Sequence, residues 1–426
     1  MRYAIVLTGM PASEAEARLK SVGAQNIKPK PAMKQIFCDL DPEQAAALSR
    51  VAGIKVKEVK KVSGGQWITA PNAELVSPQA VGLNLYDVFH ELREAYLPAL
   101  DGAGLTVAVL DSGIRESHEA LVGKVIYRAN FSESPTTGDL FGHGTGVAYI
   151  IAGEKGARSG VATGARLMNI KILNDNGEGT DEMTVDGIDA VCALVAAAKA
   201  QDIPITDPTY PNTINLSAGG EDDGDPDNPL RTAVRTAWEE YGIQVVAAAG
   251  NDGPGLSTVM CPACDPSVIA VGALKTGEFV ISPASSRGPT SEGLIKPDMV
   301  AWGENIEVAS HEADDEYDVK SGTSFSTPIL TAADGLIWDL TRRVYGEPVR
   351  VTYHDWLQYA YAYCVKPDVA PVEKDNTYGY GMPALSSMVS QVLRPVSPVS
   401  GLSESVTPVI GIGILGLVMS GMARAI

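Results

Sequence analysis

From about residue 80 onward the chain repeats one alternation. A short, almost wholly apolar run is followed by a longer stretch with apolar residues at helical spacing. The apolar runs Leu105–Leu110, Arg166–Leu173, Thr213–Leu216, Gln244–Ala249 and Val268–Val271 predict strands. The periodic stretches Val147–Ile151, Glu182–Ala200 and Pro229–Tyr241 predict helices. Strands that are apolar at nearly every position are buried on both faces, so the pattern predicts a doubly wound, mostly parallel α/β sheet. In such sheets ligands sit beyond the carboxyl ends of the strands.

The first 60 residues carry a different rhythm. Tyr3–Leu7 predicts a strand, and Glu14–Val22, with apolar residues at Ala17, Leu19 and Val22, a helix capped by Ser13. Extended segments follow around Ile27 and Ile36. Asp41-Pro42 opens a second helix as N-cap and first residue. Gly53–Val59 then alternates apolar and charged positions, as a half-exposed strand does. The order β-α-β-β-α-β predicts a small α+β module of ferredoxin-like type over 1–65. Val62-Ser-Gly-Gly-Gln66 begins a linker that runs through 66–79, and the main domain spans 80–393. Residues 394–405 are rich in Pro and Ser and predict a second linker. The segment 406–423 is uncharged and mostly apolar, at the short limit of a membrane span; a tail anchor and an apolar tail are both open readings.

Composition narrows the function classes. Hydrophobic residues make up 45% of the 426, enough for a large core. The net charge is −19, from 33 basic and 52 acidic residues, which disfavours nucleic-acid partners. Five cysteines do not make a disulfide scaffold. Cys38, Cys192 and Cys364 fit as buried fillers. Cys261-Pro-Ala-Cys264 lacks the second ligand pair of a zinc site, leaving two packed thiols or a local disulfide. The N-terminal apolar run is too short for a secretory leader, so the expected placement is intracellular or C-terminally anchored, with secretion by another route still open.

Candidate chemistry lies in distant glycine-flanked segments. Asp111 follows a strand in Leu110-Asp-Ser-Gly; His143 sits in Gly142-His-Gly-Thr-Gly146; Ser324 sits in Gly322-Thr-Ser-Phe-Ser-Thr-Pro328. A serine hydroxyl needs a base within hydrogen-bond reach, imidazole serves near neutral pH, and a carboxylate fixes its tautomer. Ser324 is expected to open a helix through Leu340, with Pro328 in its first turn, which sets the hydroxyl at the positive end of the helix dipole. Asn251, ending Val245-Val-Ala-Ala-Ala-Gly-Asn, offers an amide donor for an oxyanion. Each segment alone reads as a cap, a turn or a loop. All four together, with the triad in the order Asp, His, Ser, are much more specific. Subtilisin has that order, whereas chymotrypsin and the α/β-hydrolases have others.

These segments, together with Asn215-Leu-Ser-Ala-Gly-Gly220, Ser285-Ser-Arg-Gly-Pro289, Lys296-Pro-Asp298 and Tyr378-Gly-Tyr-Gly381, resemble those of the subtilisin family (subtilases) over about residues 80–393. The resemblance implies a serine endopeptidase acting on proteins or peptides. Asp111 would orient, His143 act as base, Ser324 as nucleophile and Asn251 as oxyanion donor. It implies that residues 1–65 are an inhibitory propeptide removed autocatalytically. Substrate would lie as a strand between Gly177-Glu178-Gly179 and Ser217-Ala218-Gly219. The first specificity pocket would be lined by Gly219, Gly220, Ala248, Ala249 and Gly250, apolar and open, with Asp252 and Glu178 favouring basic side chains. Departures are Gly146, Phe325, Ser326 and Trp302, none at a catalytic atom. No cofactor is expected for the chemistry. The family's strong calcium loop has no counterpart in Gly153–Gly160, while the acidic stretches Glu221–Asp227 and Glu312–Asp318 are either oxygen ligands for structural calcium or solvated faces. A catalytically silent scaffold and a membrane-anchored processing factor are the competing readings.

Overall fold

The computed structural model describes residues 1–64, 101–156, 158–276, 278–345, 364–367 and 370–384. The expected linkers 66–79 and 394–405 and the apolar segment 406–423 lie outside them. No helix among the described residues is long and apolar enough to cross a membrane.

The N-terminal module has strands β1 (Arg2–Leu7), β2 (Gln25–Lys30), β3 (Gln35–Asp39) and β4 (Ile54–Glu58), with helices α1 (Ala12–Ser21) and α2 (Pro42–Leu48). Its sheet order is β2-β3-β1-β4, the split-βαβ arrangement. Ile5, Leu19, Ile36, Leu48 and Ile54 fill a core of its own. Asp41 caps α2 through the Gln44 N–H, and the Gln44 side chain returns a bond to the Asp41 N–H. Helix α1 differs from expectation: it starts earlier, directly behind Pro11, and no side chain caps it.

The segment expected to start the linker is instead a strand, β5 (Lys61–Gly64). It does not join the module's sheet. It is the middle strand between β11 (Glu178–Thr180) and β13 (Ala218–Gly219), antiparallel to both. The polar, glycine-ended sequence hides this, because the pairing is supplied wholly by long-range backbone partners.

The main sheet has seven strands, all parallel: β7 (Val125–Asn130), β10 (Arg166–Lys171), β6 (Thr106–Asp111), β12 (Thr213–Leu216), β14 (Gln244–Ala248), β15 (Ile269–Leu274) and β16 (Met299–Trp302), in that spatial order. A two-residue hairpin, β8 (Glu154–Lys155) and β9 (Arg158–Ser159), stands apart from it. This is the expected doubly wound α/β sheet. Its edge strands are less evident in the sequence: the run in β7 is interrupted by Arg128, and β16 has only four residues, Met299–Trp302. Every residue of β6 is buried. Val107 and Val109 face the core shared with helices α3 (Gly144–Ala152) and α6 (Thr323–Tyr345). Ala108 and Leu110 face the core shared with α4 (Asp181–Ala200) and α5 (Pro229–Thr236). Each fully buried Val or Leu contributes roughly 1.5–3 kcal/mol, so the alternation fixes which face each loop leaves from. The winding starts at β6 and goes to either side, which makes its carboxyl end, at Asp111, the switch point of the sheet.

Candidate active site

Asp111 ends β6 and His143 immediately precedes α3; the His143 ring nitrogen Nδ1 lies 2.7 Å from Asp111 Oδ1, with both side chains buried. Glycine makes this approach feasible. A Cβ on Gly144 would come within 2.2 Å of the Gly113 carbonyl oxygen and 3.1 Å of Asp111 Cβ. Asp111 Oδ1 also accepts the Ser112 N–H at 2.7 Å. Since the carboxylate can only accept, Nδ1 carries the proton and Nε2 is the basic nitrogen. Burial alone would lower the His143 pKa; the charge and hydrogen bond of Asp111, with a contribution from Asp139, outweigh it and raise it above the usual value.

Asp139, which no sequence motif marks, organises this loop. Its Oδ1 accepts from Ser112 Oγ at 2.9 Å, the Phe141 N–H at 3.1 Å and the Gly142 N–H at 2.8 Å. Its Oδ2 accepts from the Thr145 N–H and hydroxyl at 2.9 and 2.7 Å. Ser112 Oγ accepts from the Gly144 N–H at 3.0 Å, which ties the network to the turn after His143. A buried Asp in Gly-Asp-Leu-Phe-Gly carries no local sequence signal beyond its charge.

Ser324 stands in the first turn of α6, the positive end of a 23-residue helix. Its hydroxyl donates to the Ser217 carbonyl at 3.1 Å, and the Ser217 hydroxyl donates to the Ser324 carbonyl at 2.9 Å. Pro328 lies in the second turn rather than the first, because the helix opens at Thr323. Without an N–H it cannot bond the carbonyl four residues back, which is that of Ser324. The Ser217 hydroxyl takes that carbonyl instead.

Asn251 Oδ1 accepts from the Thr323 N–H at 2.9 Å and the Thr323 hydroxyl at 3.0 Å. With its oxygen engaged, the amide presents Nδ2 beside Gly322, where a Cβ would stand 3.4 Å away. Gly322, at φ 141°, adopts a backbone conformation that side chains disfavour.

Strand β5 crosses the front of this group. Glu178 pairs with Ser63 and Gly179 with Val62 on one side; Ala218 pairs with Gly64 and Gly219 with Ser63 on the other. The Gly64 N–H donates to the Gly177 carbonyl at 3.3 Å, and a Cβ on Gly64 would stand 3.8 Å from His143 Cγ. The two segments expected to hold substrate therefore hold the chain's own residues 61–64.

Of the residues expected to line the first pocket, Ala248 ends β14 and is buried, as is Ala249, with Gly250 next; Gly219 ends β13 and Gly220 follows it. Met260, a further residue with no sequence signal, lies between Gly219 and Gly250. Cβ atoms on Gly219 and Gly250 would fall 2.8 Å from its Sδ and 3.4 Å from its Cγ. Its N–H donates to the Ala249 carbonyl at 2.9 Å. The thioether thus lies against two of the glycines expected to line the first pocket. The next residue, Cys261, is disulfide-bonded to Cys264 and pairs through its backbone with Gly220. Of the other cysteines, Cys38 and Cys192 are buried and Cys364 is half-buried.

The acidic loops meet basic side chains. Asp223, Asp225 and Asp227 pair with Lys60, Lys57 and Lys55, and Asp314 with Arg115. The β8–β9 hairpin sets the Lys155 ammonium 3.0 Å from Glu119. Cations of the protein thus face Asp223, Asp225, Asp227 and Asp314 in the two acidic stretches.

The geometry defines a class: a switch-point α/β protein with a carboxylate–imidazole pair, a helix-start serine and an amide donor on facing loops. Residues 102–381 match the subtilase family (Peptidase_S8), and the chain belongs to that family. It is 34% identical over 264 residues to serine protease AprX of Bacillus subtilis, covering 56% of this chain and 58% of that protein. It is 35% identical over 288 residues to subtilisin E of Bacillus subtilis, covering 66% and 67%. It is also 30% identical over 237 residues to subtilisin-like protease SBT6.1 of Arabidopsis thaliana, of which it spans 20%.

Proposed function

We propose that the chain is a serine endopeptidase that works through an acyl-enzyme and is held closed by its own N-terminal module. The observation that carries this reading is the buried 2.7 Å Asp111–His143 pair lying under a strand that is threaded between β11 and β13 in front of it. His143 Nε2 takes the Ser324 proton as Oγ attacks a peptide carbonyl; Asp111 keeps Nδ1–H in place and stabilises the imidazolium. The Ser324 N–H and Asn251 Nδ2 receive the oxyanion, each such donor being worth about 10²–10³ in rate. His143 then returns the proton to the leaving amine, and water repeats the sequence on the ester.

Residues 61–64 fill the place of a substrate's acyl side, so the module would inhibit by occupying it and self-maturation would cut just beyond Gly64. The Met260 thioether between Gly219 and Gly250 favours slender side chains on the attacked residue; the exposed Asp252 at the pocket rim and the exposed Glu178 on the edge strand favour basic over acidic ones. Structural calcium plays no part in this scheme.

An active-site serine phosphonate should label the purified chain, and Ser324→Ala should abolish labelling. N-terminal sequencing should find a new terminus a few residues after Gly64. A protein that neither takes the phosphonate nor hydrolyses any peptide would be a scaffold instead.

A further inference from the structure

The enclosure around Gly64 restricts what can be cleaved. Gly64 lies opposite Ala218. In a substrate running the same way, the following residue falls opposite Ser217, whose carbonyl holds the Ser324 hydroxyl. That following residue carries the carbonyl to be attacked. The place of Gly64 is therefore the one immediately before it.

Three side chains wall that place. A Cβ on Gly64 would meet Leu173 Cδ1 at 3.1 Å, Phe141 Cε1 at 3.7 Å and His143 Cγ at 3.8 Å. One methyl group fits with a small shift of Leu173, and a longer side chain has to start out between these three walls. The walls are themselves wedged. Behind Phe141 stands Gly177, at φ 76°, where a Cβ would lie 2.4, 2.5 and 2.8 Å from three ring atoms. Behind Leu173, which is buried, stands Gly179, where a Cβ would lie 2.9 Å from Cδ2. The Phe141 backbone is pinned by its N–H on Asp139. The ring thus rests on the Cα of the very glycine whose carbonyl receives the Gly64 N–H.

We propose that this enzyme selects peptides with glycine immediately before the attacked residue, and that Phe141 is the residue that enforces the choice. The inference rests on the endopeptidase reading above. A single extra methylene in a hydrophobic pocket discriminates by roughly 10- to 200-fold.

The test uses quenched peptides built on Lys-Val-Ser-Gly-Gly-Gln, the chain's own residues 61–66, with the first glycine changed to alanine, leucine or phenylalanine. Rates are referred to phosphonate-titrated Ser324 in the full chain. We expect kcat/KM to fall about 100-fold from glycine to leucine, with alanine between. Phe141→Ala, and Phe141→Val as the milder change, should each cut the glycine-to-leucine ratio to below about 10 by raising the rate on leucine. A labelled enzyme that cleaves the leucine peptide as fast as the glycine peptide overturns the inference alone. So does a ratio left unchanged in both Phe141 variants. Absence of labelling together with absence of hydrolysis overturns the endopeptidase reading and takes this inference with it.

Discussion

Replacing Asp223, Asp225 and Asp227 together by Asn should loosen β5 without touching it. These carboxylates pair with Lys60, Lys57 and Lys55, which flank the path from β4 into the cleft. They are one end of a longer seam: Arg2 and Lys28 meet Glu182, Lys30 meets Asp186 and Asp189, and Lys34 meets Glu240. The side chains are partly exposed, so each pair is worth about 0.2–1 kcal/mol. Three pairs sum to about 0.6–3 kcal/mol, or about 3- to 150-fold in the population with β5 undocked. Ser324→Ala as background keeps the chain intact under the proposed mechanism. Hydrogen exchange of the Val62 and Gly64 amides then reads the opening directly. Exchange there should speed up by that factor, while amides of β6 stay protected. Raising salt to about 1 M shortens the screening length from about 10 Å at 0.1 M to about 3 Å, so the parent should approach the variant. Unchanged exchange in the variant, or an unaltered salt response, would refute the claim that charge holds the module down.

Three further outcomes follow from the geometry. Asp139→Asn removes a charge that raises the His143 pKa; since the base must be neutral, the acid limb of the labelling rate should move to lower pH, and an unmoved limb would count against the assignment. Asp181 has its pKa pushed up to about 7 by burial, and its carboxylate accepts the Lys60 N–H at 3.0 Å. The neutral form favours the docked state, so this contribution is complete below about pH 4 and is lost as pH rises through about 7. Exchange of Gly64 in the Ser324→Ala background, corrected for its intrinsic pH dependence, should therefore accelerate as pH rises from about 4 to about 7 and level off above that, and Asp181→Asn should flatten that rise. Ser217→Ala leaves the Ser324 carbonyl without its donor and should cost about 1–3 kcal/mol, seen as a lower melting temperature with the phosphonate-labelled Ser324 still accessible.

The buried strands are legible because nearly every position in Val107–Leu110 or Val245–Ala249 is apolar, and a parallel sheet demands that. Asp111, His143, Ser324 and Asn251 stand out for a related reason: each lies at or close to the end of an element, with a glycine next to it or two residues away. What stays hidden depends on contacts distant in sequence. Asp139 is one acidic residue among 52 until its five donors are seen. Met260 lies in an unremarkable loop until Gly219 and Gly250 are found on either side of it. Lys61–Gly64 has the composition of a linker, and only its partners make it a strand. Pro328 falls in the second turn rather than the first, as the sixth residue of a helix that opens at Thr323.

The threading of β5 through the cleft has a consequence for when such an enzyme would act. While the backbone is continuous, the blocking segment is a tethered ligand, present at an effective concentration of order millimolar however far the protein is diluted. A cut just past Gly64 turns the same contacts into a bimolecular equilibrium. Closure then follows mass action: crowded molecules stay shut, and dispersed ones open as the freed fragment diffuses away.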